Sequence, residues 1–183
     1  VELVEQGIAA EVVDEAARRF GMPIGPVELA DTVGLDVCLS VARVLTRHYG
    51  GEVPQRLEHL VSQGRLGRKT GEGFYNYAKG QRVERKLADT AESELAAMAD
   101  RMVLRIINEA YACLAEEVIA DGDLLDAGMV FGAGFAPFRG GVMHYAEQRG
   151  RADIVSTMEL LAGSIGARFA PHRSLAQEVS KQA

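Results

Sequence analysis

Apolar residues in this chain recur three and four positions apart and hardly ever two, and that periodicity commits it to helices packed on one another rather than to sheets. Val12, Val13, Ala16, Ala17 and Phe20 share one helical face, and Gly21 followed by Pro23 stops the helix. Pro26 suits the first turn of a short helix through Val27, Leu29, Ala30 and Val33, ended by Gly34, because a missing N–H is not needed there. A longer helix then lines Val37, Val41, Val44, Leu45 and His48 along one side, and Leu57, Leu60 and Val61 mark another between Pro54 and Gly64. From about Ala91 a stripe of Leu95, Met98, Met102, Ile106, Ala110 and Cys113 predicts a helix of roughly twenty residues or more, with Asp89 as its cap. A last helix carries Ile154, Met158, Leu161 and Ile165, and the tail after Pro171 reads as polar and frayed.

Two stretches escape this period. Between Gly64 and Tyr77 four glycines alternate with Arg65, Arg68, Lys69 and Glu72 ahead of Phe74-Tyr75-Asn76-Tyr77, the pattern of an ordered loop anchored by aromatic burial. A second glycine-proline knot runs from Gly128 to Gly141. With 183 residues, 48% of them hydrophobic and 25% charged, the chain has ordinary globular proportions and length for one domain or two small ones. A net charge of -6 supplies no basic face for a phosphate backbone, so nucleic acid is disfavoured as a partner. No apolar run is long enough to span a membrane, and the N-terminus lacks the layout of a secretion signal. Cys38 and Cys113 lie too far apart to indicate a disulfide framework or a metal site, which fits a cytoplasmic, reducing compartment.

The chain repeats itself. Phe20-Gly21-Met22-Pro23-Ile24-Gly25-Pro26, between an acidic amphipathic helix and a helix ending at Gly34, is echoed by Phe131 to Gly141 and a helix ending at Gly150. Leu3 to Ala9 matches Leu114 to Ala120 more loosely. We therefore expect an all-α protein of two tandem related helical units, residues 1–90 and 91–183, with no Rossmann sheet. The first lacks its beginning, so that Val1 would lie within a helix.

Gly21 to Asp36, with the run Gly64-Arg65-Leu66-Gly67-Arg68-Lys69-Thr70-Gly71-Glu72-Gly73-Phe74-Tyr75, resembles the signature of the C-terminal helical domain of the 3-hydroxyacyl-CoA dehydrogenases. Gly132 to Gly141 and the closing Arg168-Phe169-Ala170-Pro171 are similar to the degenerate copy of that domain ending the multifunctional alpha subunit of the fatty acid oxidation complex. The resemblance spans roughly residues 3 to 176. It implies that the parent enzyme oxidises 3-hydroxyacyl-CoA to 3-ketoacyl-CoA with NAD held on a separate Rossmann domain. It also implies that the catalytic His-Glu pair and asparagine lie outside this sequence; Asn108 does not match that asparagine. No catalytic residue, cofactor site or metal site is assigned here, and the isolated chain is expected not to turn over. Gly132-Ala133-Gly134 is followed by Phe135-Ala136-Pro137, which offers no row of free N–H groups to a pyrophosphate.

By the same resemblance the bend at Gly21, Met22, Pro23, Gly25, Pro26 and Leu29 forms an apolar wall for an acyl thioester, in a cleft completed by the missing domain. Taken on its own, the bend reads first as a helix-turn-helix knot packed by its own small residues, and the two readings are compatible because a site wall requires a rigid bend. Arg68-Lys69-Thr70 has the wrong spacing for a phosphate loop and reads first as structural. His48, His59, His144 and His172 show no ligand spacing, and Glu28 with Asp31 reads as capping or ion pairing before an acid pair. The family's helical domain carries subunit contacts, so a homo-oligomer or complex subunit is expected. A stand-alone non-catalytic binding module, or the helical domain of another two-domain NAD(P) dehydrogenase, remain alternatives.

Overall fold

The computed structural model describes residues 2–84 and 89–180. It is all-α, and its helices form two compact units: residues 1–19 with 24–95, and residues 20–23 with 96–183. Val1, where a helix was expected to enter the chain, lies outside the described residues.

The first unit holds α1 (Glu2–Glu5), most of α2 (Ala10–Phe20), α3 (Pro26–Val33), α4 (Leu35–Tyr49) and α5 (Gln55–Ser62). Gly25 caps α3 and Pro26 occupies its first turn, while Gly34 ends it at φ 109°, a conformation that favours glycine. Leu35, Leu39, Leu57 and Leu60 form the core of this corner, with Cys38, Ala42 and Phe74 packed against them. The periodicity of α4 therefore has two apolar faces, and the expected stripe is the outer one. Val37, Val41, Val44 and Leu45 are 45 to 52% exposed. Leu35, Cys38, Leu39 and Ala42 face inward instead, because the tight turn at Gly34 presents that side to α3 and α5.

After α5 the glycine-rich stretch forms a short 3-10 turn at Arg68–Thr70 and a small antiparallel hairpin. Its strands are β1 (Tyr77–Ala78) and β2 (Gln81–Arg82), with Tyr77 opposite Arg82. This hairpin had no alternating pattern to announce it, being two residues long on each side.

The second unit is built on the long helix α6 (Glu92–Ala115) and continues through α7 (Gly122–Ala133), α8 (Val142–Arg149), α9 (Arg151–Ser164) and α10 (Arg173–Ser180). The first i to i−4 bond of α6 runs to the carbonyl of Ala91, so Asp89 lies ahead of the cap rather than at it. Its buried stripe is Leu95, Ala99, Val103, Leu104, Ile107, Ala110 and Tyr111, rotated from the expected one so that Met98, Met102, Ile106 and Cys113 sit half-buried at its edge. Gly128 and Gly132 belong to α7, and the knot begins only at Gly134, its left-handed cap.

The tail corrects the sequence reading further. Asn108 on α6 accepts the N–H of His172 at 2.6 Å and donates to the carbonyl of Ala170 at 3.2 Å, and the Ser174 hydroxyl donates to the carbonyl of Tyr111. These bonds turn the chain after Pro171 into α10 and bury Leu175 completely in the unit's core. The polar composition after Pro171 concealed one apolar anchor and a turn built by a distant asparagine.

Candidate functional site

Two fully buried carboxylates organise the first unit. Asp14 lies on the inner face of α2, between Val13 and Ala17, and aims at the start of α3. It accepts the N–H of Val27 at 2.7 Å, the N–H of Glu28 at 3.0 Å and the hydroxyl of Tyr75 at 2.8 Å. The orphan N–H groups of α3 are thus satisfied by a neighbouring helix rather than by a cap residue of their own. A Cβ on Gly25 would stand 2.2 Å from Cγ of Asp14. With φ at −72°, Gly25 is required for space alone.

Asp31, at the far end of α3, accepts the N–H groups of Phe74 and Tyr75 at 3.0 and 2.9 Å and the hydroxyl of Tyr77 at 3.1 Å. Cβ atoms on Gly67 and Gly73 would fall 2.3 Å from the Asp31 carbonyl and 2.2 Å from its carboxylate. The glycines of the loop therefore let backbone approach an aspartate rather than a phosphate. The three cations of that loop have protein partners as well: Lys69 reaches Asp36 at 2.5 Å, Arg68 the Gly80 carbonyl at 2.6 Å and Arg65 the Gly73 carbonyl at 3.0 Å. Arg82 lies over the Tyr75 ring at 4.1 Å and pairs with Glu28 at 3.0 Å, and Arg18 also pairs with Glu28.

Burial pushes the Asp14 carboxyl above its ordinary value, opposed by the bonds from Val27, Tyr75 and Glu28. Asp31 is likewise raised by burial and pulled back by the Tyr75 and Phe74 N–H groups. Burial first, then the neighbouring aspartates, push the phenols of Tyr75 and Tyr77 far up, so both remain neutral donors. Every carboxylate here is committed to protein donors, so the network braces the α2–α3 corner. Glu28 and Asp31 accordingly take separate partners rather than acting as a pair.

Residues at the predicted acyl wall divide between the units. Gly25 and Pro26 are held by the Asp14 clasp, and Leu29 projects from α3 at 44% exposure. Gly21, Met22 and Pro23 pack in the second unit, where a Cβ on Gly21 would overlap the Phe138 ring and Pro23 stands over Gly134. Sequence reasoning missed Asp14, Tyr75 and Tyr77 as one network, although an aspartate between the buried positions of an amphipathic helix was a visible signal.

The second unit contains the same clasp. Asp126 on α7 accepts the N–H groups of Met143 and His144 at 2.7 and 3.0 Å, and a Cβ on Gly141 would stand 2.3 Å from its Cγ. Gly132 and Ala133 are the last turn of α7 and Gly134 bonds to the Met129 carbonyl, so this segment has no free N–H row for a dinucleotide. Among the described residues no cluster of three or more His, Cys, Asp or Glu side chains is placed to hold a metal, and no helix is long and apolar enough to cross a membrane.

The first unit is thus a clasped, glycine-kinked helical corner closed by a glycine-rich hairpin. Residues 1–77 match the family of the 3-hydroxyacyl-CoA dehydrogenase C-terminal domain, so this part of the chain is similar to that domain. It is 36% identical over 93% of its length to the fatty acid oxidation complex subunit alpha of Shewanella sp. strain ANA-3, and 36% identical over 96% to that of Shewanella halifaxensis. It spans only 26% of the length of these relatives. In fold it is similar to 3-hydroxybutyryl-CoA dehydrogenase from Escherichia coli K12, with a TM-score of 0.77 at 22% identity over 98% of this chain and 56% of that one. It is also similar to the dehydrogenase part of multifunctional enzyme 1 from C. elegans, with a TM-score of 0.65 at 21% identity over 93% of this chain and 42% of that one.

Proposed function

We propose that this chain supplies the substrate-side wall and an assembly surface of a fatty acid β-oxidation enzyme that oxidises 3-hydroxyacyl-CoA to 3-ketoacyl-CoA with NAD. The reading rests above all on its similarity, along nearly its whole length, to fatty acid oxidation complex alpha subunits. Gly132 and Gly134, the pair that resembles a dinucleotide loop, end α7 and do not fit a pyrophosphate; NAD would be held by a part of the enzyme beyond this segment.

Within this reading Gly21, Met22, Pro23, Gly25, Pro26 and Leu29 line the acyl chain and exclude water from it. A wall of this kind must not yield, and the Asp14 clasp across Gly25 and Pro26 supplies that stiffness. We also take residues 1–90 and 91–183 to be copies of one domain. Asp14 and Asp126 support this by making the same pair of bonds to the start of the following helix, each across a glycine with no room for a side chain.

The protein encoded by the entire reading frame tests the proposal. Mixed with 3-hydroxybutyryl-CoA and NAD it should form NADH, and Leu29→Asp should raise KM for longer acyl chains more than it lowers kcat. The chain alone, given acetoacetyl-CoA and NADH, should consume no NADH. A full-length product that binds acyl-CoA without any redox turnover would replace this reading with a non-catalytic binding module.

A further inference from the structure

The two units share a clasp but differ in what lies upon it. In the first, the hairpin covers the corner: Tyr75 sits on Asp14, Tyr77 on Asp31 and Arg82 on Glu28, with Glu11 close enough to act on the Tyr75 phenol through its charge. Counted from Asp14 and Asp126 along α2 and α7, Glu11 corresponds to Asp123. Counted from Gly25 and Gly141 along α3 and α8, Glu28 and Asp31 correspond to His144 and Glu147.

Among the described residues of the second unit no hairpin follows: α9, entered through Gly150 as α4 is through Gly34, leads by a 3-10 turn at Ala167–Phe169 into α10. Asp123, Asp126, His144 and Glu147 instead line a cavity of about 590 Å³, within the usual range for ligand sites. Asp126 lends its oxygens to Met143 and His144 but has no counterpart of the Tyr75 hydroxyl. Glu147 gives one oxygen to Arg151. Phe131 stands at the rim 90% exposed, and no lysine or arginine among the described residues lines the space. The cavity therefore keeps the two carboxylates that receive the hairpin's tyrosines in the first unit, with His144 in place of the Glu28 that receives Arg82.

We propose that this cavity docks an extended segment of a partner protein bearing two tyrosines two positions apart, their hydroxyls on Asp126 and Glu147 as those of Tyr75 and Tyr77 sit on Asp14 and Asp31, and a following arginine that turns to Asp123 because His144 stands where Glu28 receives Arg82. Its chemistry is the one this chain already displays: neutral phenol donors and a guanidinium against carboxylates, with the aromatic rings against apolar side chains. The proposal does not depend on the dehydrogenase reading.

A labelled synthetic peptide with the sequence of residues 72–83 is the probe, added to the intact chain and followed by fluorescence anisotropy. Saturable binding is expected, with slowed amide exchange at residues 123–147. Glu147→Gln and Asp123→Asn, both at exposed positions, should each weaken it about tenfold while leaving the melting temperature unchanged. Replacing both tyrosines of the peptide by phenylalanine should do the same. The proposal is overturned by absence of saturable binding at millimolar peptide, by protection confined to residues 10–31, or by equal binding of a scrambled peptide. Displacement by arginine amide alone, or by excess unlabelled chain, would assign the cavity to a simple cation or to a second copy and overturn it equally.

Discussion

Asp14 and Gly25 act as one device, and neither is intelligible without the other. A buried carboxylate is expensive unless donors surround it, and the start of α3 offers two N–H groups that have no helical acceptor. The exchange requires close approach, which a methyl group at position 25 would block. Gly25→Ala should therefore destabilise the chain by about 3 kcal/mol in urea unfolding, through crowding and not through φ, which alanine tolerates. The tyrosines give a separate, pH-dependent signature. Their folded pKa values lie above the unfolded value of 10.0, so the stability they contribute is complete below pH 10 and is lost as the pH rises above it, where only the unfolded chain releases the protons. The midpoint temperature should fall steeply above pH 10, with the tyrosinate absorbance of these residues appearing only as the chain unfolds. Tyr75→Phe should lower stability at pH 7 by about 1 to 2 kcal/mol, because Asp14 loses a donor, and should flatten the alkaline fall.

At the level of elements, what could be read from the sequence was whatever depends on short-range punctuation. Gly21 ended α2, and Pro26 and Gly34 bracketed α3, because capping and proline geometry are local, and the long apolar period announced α6. The rotation of a helix was not legible in the same way. Helix α4 has apolar residues on two sides, and only the positions of α3 and α5 decide that Leu35 and Leu39 go inside while Val41 and Leu45 stay out. The candidate wall was legible as a bend, but its brace was not, since Tyr75 and Tyr77 reach Asp14 and Asp31 from more than forty positions away. The outward apolar face of α4 continues onto α3 through Leu29 and Val33, which are 44 and 51% exposed, and an uncovered strip of this kind favours association. Val41→Lys with Leu45→Lys should change stability by no more than about 0.5 kcal/mol, yet should abolish concentration-dependent association in sedimentation velocity. Association of the doubly substituted chain equal to that of the parent would remove this face from consideration as an assembly surface.

Across the molecule, one structural idea occurs twice with different elaboration. The 112 residues separating Asp14 from Asp126 and the 116 separating Gly25 from Gly141 show that the second bend is longer, and the added residues form the 3-10 turn Pro137–Arg139. The clasp survives this insertion because it needs only an acidic residue on one helix and a bare backbone at the start of the next. What surrounds it has diverged: Asp14 is wholly buried beneath a hairpin, whereas Asp126 is half-buried beside a cavity. Equal chemistry should then carry unequal energy, because a buried donor left unpaired costs more than one that water can reach. Asp14→Ala should cost about 3 kcal/mol and Asp126→Ala about 1 kcal/mol in denaturant unfolding. Hydrogen exchange resolves the two effects. The first substitution should speed exchange at the start of α3 and in residues 67–77, and the second at the start of α8. Equal losses from both substitutions would mean that the hairpin adds nothing to its aspartate, and that the two clasps differ in surroundings without differing in strength.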